Sequence, residues 1–64
     1  MKIGEAVKTL RKQNNLKQKE LSDKCNITQT YLSQIENNKK NPNFNLIERI
    51  SNCLGIPLPV MLFL

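Results

Sequence analysis

Four uncharged hydrogen-bonding side chains cluster in one short stretch, "TQTYLSQIE" (28–36): Gln29, Thr30, Ser33 and Gln34. They interleave with Leu32 and Ile35, two apolar residues at helical spacing. A solvent-facing helix usually carries Lys and Glu there. Side chains of the observed kind suit a surface that presents donors and acceptors together, as base edges do in the DNA major groove. Gln donates and accepts at once and can pair bidentately with adenine. Ser and Thr bond to either kind of group, and the Thr methyl can touch the thymine methyl. A Glu at these positions would be repelled by phosphate. Taken alone, the composition also describes a merely polar surface helix.

Other chemistry is poorly supplied. The chain has no His, and its two cysteines, Cys25 and Cys53, form no CxxC or other metal-ligand spacing. No metal or cofactor is expected, and no small-molecule ligand is evident. Each cysteine sits at an apolar position of a helical pattern, which favours two reduced core thiols in a reducing cytosol over a disulfide. Without a His, a Cys beside a base or a glycine-rich phosphate loop, there is no nucleophile–base set, and an enzyme is not expected. Residues 1 to 15 lack the apolar segment of a secretory signal. The longest apolar run, "IPLPVMLFL", is far below the ~20 residues that cross a bilayer and holds two prolines. The expectation is a cytoplasmic chain with no membrane segment.

The charge points the same way as the polar cluster. Net charge is +5, and nine of the ten basic residues lie in the first 40 positions, with Arg49 the exception. That suits an anionic partner such as nucleic acid. At 64 residues the chain is read as one domain, residues 1–64. A domain this small buries only ~60% of the surface its unfolded chain exposes, so dimerisation would help it. With no Trp and few aromatics, its core must be built from Leu, Ile, Val and Phe.

Five short helices must position the polar cluster. Ile3, Ala6, Val7 and Leu10 form an apolar stripe over about residues 2–14, with Lys8 and Lys12 on another face. Asn14 and Asn15 can take the left-handed conformation that ends a helix. A second helix runs from about Lys17 to Cys25, burying Leu21 and Cys25, and Asn26 ends it. Ile27 plugs the gap before Thr28, which caps a third helix that buries Leu32 and Ile35 and ends near Asn37 and Asn38. "NKKNPN" is a loop, since Pro42 blocks a helix through it. Asn43 caps a fourth helix with Phe44, Ile47, Ile50 and Leu54 as its apolar face, closed by Gly55. A final apolar helix spans about 58–63. No strand pattern and no repeat is visible.

The turn between the second and third helices is very tight, which forces them to cross steeply in a helix-turn-helix over about 17–36. The third helix is then propped outward, able to enter a major groove. The sequence also resembles the DNA-binding domain of the lambda-repressor/Cro family, also called Xre-type regulators. The resemblance covers residues 3 to 63 and is carried by "LRKQNNLKQKEL", "YLSQIENNKKNP" and "LIERISNCLGI" in that order and spacing. It implies an all-α, compact five-helix lambda-repressor-like fold with the helix-turn-helix formed by helices 2 and 3.

The resemblance also implies site residues. Gln29, Thr30, Ser33 and Gln34 match base-reading positions. Gln18 matches a glutamine that bonds a phosphate and braces the recognition helix. Tyr31, Asn37, Lys39 and Lys40 match positions that contact the DNA backbone, with Asn38 offering a further donor. Arg11 and Glu36 match a charged pair that ties the first helix to the end of the third. The departures are Ser22 for the usual Ala, Asn26 and Asn38 for frequent glycines, and Lys17 for a Ser or Thr cap, whose loss typically costs ~1 kcal/mol.

The C-terminal "VMLFL" lacks a polar face and leaves three readings open. Val60, Leu62 and Phe63 close the bottom of the core; or Met61, Phe63 and Leu64 meet a second subunit; or further residues of a longer chain cover them. The function expected is a sequence-specific double-stranded DNA-binding transcriptional regulator, a repressor binding a palindromic operator as a homodimer. The alternative is an antitoxin or other protein-interaction module on the same fold, with the apolar C-terminus binding a partner protein.

Overall fold

The computed structural model of the chain describes residues 3–63. Five helices follow in order: α1 (Ile3–Gln13), α2 (Gln18–Cys25), α3 (Gln29–Glu36), α4 (Phe44–Leu54) and α5 (Leu58–Leu62). No strand occurs among the described residues. The bounds differ from the periodicity reading by only a residue or two, the usual scatter at frayed helix ends.

Helix starts follow local chemistry. The Thr28 hydroxyl accepts the Tyr31 N–H at 3.0 Å, and Asn43 Oδ1 accepts the Leu46 N–H at 2.8 Å, each using up a backbone donor that no helical carbonyl can reach. Lys17 offers α2 no such acceptor. The Glu20 carboxylate instead reaches back to accept the Lys17 N–H at 2.8 Å, half of a capping box.

Helix ends repeat one device four times. A residue in the left-handed region donates its N–H to the carbonyl three back, and the next residue's N–H bonds to the carbonyl five back. The left-handed residues are Asn15, Asn26, Asn38 and Gly55, with φ of 57°, 58°, 60° and 72°. The residues that follow, Leu16, Ile27, Lys39 and Ile56, donate to the carbonyls of Arg11, Ser22, Gln34 and Ser51. Leu16, Ile27 and Ile56 then pack against the core. At the end of α3 the equivalent residue is Lys39, which is exposed.

One core joins all five helices. It contains Ala6, Val7 and Leu10 of α1, Leu21 and Cys25 of α2, Leu32 and Ile35 of α3, Leu46, Ile50 and Leu54 of α4, and Met61 of α5. α1 approaches the end of α3 closely at Gly4. A Cβ there would collide with the Ile35 carbonyl oxygen and come within 2.7 Å of Asn38 Oδ1.

Two apolar assignments from the sequence need correction. Phe44 lies off the apolar face and is 60% exposed, while Leu46 is buried. At ~100° per residue, Leu46, Ile47, Ile50 and Leu54 share one arc of the helix and Phe44 falls outside it. At the C-terminus, Met61 is wholly buried, whereas Val60, Leu62 and Phe63 are exposed, Phe63 at 91%. Met61, not its neighbours, closes the core, so its side chain is not available to a second subunit. A five-residue helix turns only about one and a half times, so few of its side chains can face inward. Leu64 lies outside the described residues.

Candidate nucleic-acid interface

The tight connection between α2 and α3 is the left-handed Asn26 followed by Ile27 and Thr28. Asn can take this conformation because its short polar side chain lowers the steric cost of positive φ. Ile27 anchors the turn against the core. Ser22, where α2 crosses toward α3, is 1% exposed, and its hydroxyl donates to the Lys19 carbonyl at 2.9 Å, so its burial leaves no unpaired donor.

α3 divides cleanly by face. Leu32 and Ile35 are wholly buried, which fixes the rotation of the helix. Gln29 and Thr30 are then exposed, and Ser33 and Gln34 are half-buried. Together with Gln18 of α2 they line one cleft of about 290 Å³. The four polar residues of the opening cluster thus share one open surface, as the spacing requires.

A buried polar network supports this cleft from behind. Glu36, on the last turn of α3, is 4% exposed. Arg11 Nε donates to its Oε2 at 2.7 Å and Arg11 Nη2 to its Oε1 at 3.1 Å. The remaining guanidinium nitrogen, Nη1, donates to the Leu16 carbonyl at 2.8 Å. Gln18 Nε2 donates to Glu36 Oε1 at 3.1 Å. A carboxylate only accepts, so this bond fixes which end of the Gln18 amide faces inward. Gln18 Oε1 and one N–H stay free for the cleft. This bond is a brace on the recognition helix of the kind the resemblance implies for Gln18. Its partner, Glu36, is not named by any local pattern, because the two residues are 18 apart in sequence.

The backbone-contact candidates are arranged less uniformly. Lys39 and Lys40 are exposed just beyond α3, as are Lys8 and Lys12 on α1. Tyr31 is half-buried and packs on the core. Asn37 turns back onto its own helix, its Nδ2 donating to the Ser33 carbonyl at 2.9 Å. The Ser33 carbonyl also accepts the Asn37 backbone N–H at 3.0 Å, and the same Nδ2 lies 3.4 Å from the Ser33 hydroxyl oxygen. No cluster of His, Cys, Asp and Glu among the described residues could hold a metal ion. None of the described helices is long and apolar enough to cross a membrane.

The family model described as helix-turn-helix matches residues 7–61. The chain belongs to the helix-turn-helix family, in its lambda-repressor/Cro (Xre) branch. Among curated relatives of this family, the immunity repressor protein of Bacillus phage phi105 is 36% identical over 56 residues, 88% of this chain and 39% of the repressor. The HTH-type transcriptional regulator SinR of Bacillus subtilis is 33% identical over 61 residues, 94% of this chain and 55% of SinR. The chain therefore spans about two fifths to just over half of these two relatives. A crystal structure of the biofilm regulator SinR in complex with DNA superposes with a TM-score of 0.86 at 33% identity, covering 94% of this chain and 97% of that one. The all-α helix-turn-helix fold expected from the sequence is thus that of solved members of the family.

Proposed function

We propose that this helix-turn-helix chain is a sequence-specific, double-stranded DNA-binding regulator of transcription, acting in the cytoplasm as a repressor on a palindromic operator. The observation that carries this reading is the shared cleft of Gln18, Gln29, Thr30, Ser33 and Gln34, with Lys39 and Lys40 exposed beside it. In this reading α3 enters the major groove. Gln29, Thr30, Ser33 and Gln34 meet base edges. Lys39 and Lys40 neutralise phosphates at the groove's rim, and Tyr31, Asn37 and Gln18 hold the sugar–phosphate backbone. The SinR–DNA structure supports it by family kinship.

Dimerisation completes the proposal. Val60 and Phe63 are exposed apolar side chains at one end of the chain, and a second copy is the partner a palindrome calls for. Two recognition helices would then lie ~34 Å apart, one turn of B-DNA. Selection of bound sites from random duplex DNA tests the reading directly. Enrichment of two inverted half-sites about one turn apart is the expected result. Enrichment of no sequence at all would remove it.

The exposure of Phe63 also favours a second reading, in which the apolar C-terminus binds a different protein, as in an antitoxin. Sedimentation of the chain alone separates the two. A homodimer supports the first, and a monomer that binds DNA without symmetry supports the second.

A further inference from the structure

The two cysteines, 28 positions apart in sequence, meet in the fold. Cys25 is the last residue of α2 and is wholly buried; Cys53 lies in the last turn of α4 and is half-buried. The Cys53 thiol donates to the Lys24 carbonyl at 3.2 Å, the residue next to Cys25. One turn earlier on α4, Arg49 Nη1 donates to the Cys25 carbonyl at 3.1 Å. Arg49 and Cys53 together therefore clasp the end of α2. The Cys53 sulfur lies against the peptide that joins Lys24 to Cys25.

We propose that Cys25 and Cys53 form a hydroperoxide-responsive intramolecular disulfide that staples the end of α2 to α4. Both sulfurs are free thiols in the structure. Closing the bond brings the two sulfurs to the ~2.05 Å of a disulfide, and residues near the open ends of two helices can move to allow it. The Cys53–Lys24 hydrogen bond breaks in the process.

The order of events follows from exposure. Cys53 reaches solvent and meets the oxidant first. Its sulfur attacks the terminal oxygen of the hydroperoxide; the O–O bond breaks, an S–O bond forms, and the alcohol (water, from hydrogen peroxide) leaves with the thiol proton. The Cys25 sulfur then attacks the Cys53 sulfur. The S–O bond breaks, the S–S bond forms, and hydroxide departs with the Cys25 proton as water. Two thiols lose two electrons and the hydroperoxide gains them.

The environment assigns the same roles. Burial and the Cys53 neighbour push the Cys25 thiol up to about 12, so it stays protonated and inert toward oxidants in solution. It reacts because the sulfenic acid forms beside it.

The test is to expose the chain to hydrogen peroxide and follow mass, alkylation and melting. The expected product is a single chain that has lost two hydrogens, has no alkylatable thiol, melts roughly 10 °C higher, and reverts with dithiothreitol. Cys53→Ser should remain reduced and show no shift. Brief exposure with dimedone should label Cys53, not Cys25. Two thiols that remain alkylatable, a disulfide between two chains, labelling at Cys25, or a lower melting temperature of the oxidised chain would each overturn the proposal.

Discussion

Arg11 holds Glu36 with two parallel hydrogen bonds, and both side chains are all but sealed from solvent, at 9% and 1% exposure. The pair joins α1 to the last turn of the recognition helix across 25 residues of sequence. Its net contribution to stability is small, because burying each charge costs several kcal/mol that the attraction returns. Removing one partner is a different matter. Glu36→Ala leaves the Arg11 guanidinium buried with only the Leu16 carbonyl, and should cost ~3–5 kcal/mol in urea denaturation. Arg11→Met combined with Glu36→Leu should recover most of that loss. The double variant also releases Gln18, so its selectivity among DNA sequences should broaden while its stability returns.

Base reading and phosphate binding separate by their response to sequence and salt. Gln34→Ala should relax preference at one position of the selected site by ~1–3 kcal/mol, read by competition between single-base variants. Lys40→Ala should weaken every duplex alike and flatten the dependence of log affinity on log salt by about one unit. An unchanged preference in Gln34→Ala would show that its amide meets no base.

Gly4→Ala pits two effects against each other. Alanine favours a helix over glycine by ~1 kcal/mol. Its Cβ, however, would run into the Ile35 carbonyl oxygen, a backbone atom fixed within α3 that cannot swing aside. Overpacking of this kind typically costs ~1–3 kcal/mol. The net result should be a lower denaturation midpoint, together with weaker DNA binding as the end of α3 is pushed away from α1.

The two ends of α5 should behave oppositely. Met61→Ala empties a wholly buried site and should cost ~2–5 kcal/mol in the folded chain. Phe63→Ser touches a side chain that is 91% exposed and should leave the stability of the isolated subunit within ~0.5 kcal/mol. If Phe63 joins two subunits, the same change should raise the dimer dissociation constant in sedimentation equilibrium without altering the monomer's circular dichroism.

Much of this architecture is legible in the chain because it is locally encoded. Thr28 and Asn43 announce the starts of α3 and α4 by side-chain chemistry that acts three residues ahead. Asn26 and Gly55 mark ends by tolerating positive φ. Leu32 and Ile35 fix which side of α3 faces out. Phe44 and Met61 defeat the same reasoning, since a first-turn residue and a five-residue helix give too few turns for a periodicity to form. The choice of Glu36 as the partner of Gln18, the Gly4 approach to Ile35 and the approach of Cys53 to the end of α2 depend on how helices dock. No spacing in the sequence reports them.

Three of the four helix ends that use a left-handed residue turn on asparagine rather than glycine. Glycine would enter the left-handed region without steric cost, but it also widens the range of conformations the unfolded chain explores. Asparagine reverses both terms, so the joints at Asn15, Asn26 and Asn38 trade a little native strain for a narrower unfolded ensemble. In a chain whose core is so small, that leaves the angle between α2 and α3 set by residues that resist wandering before folding as well as after it.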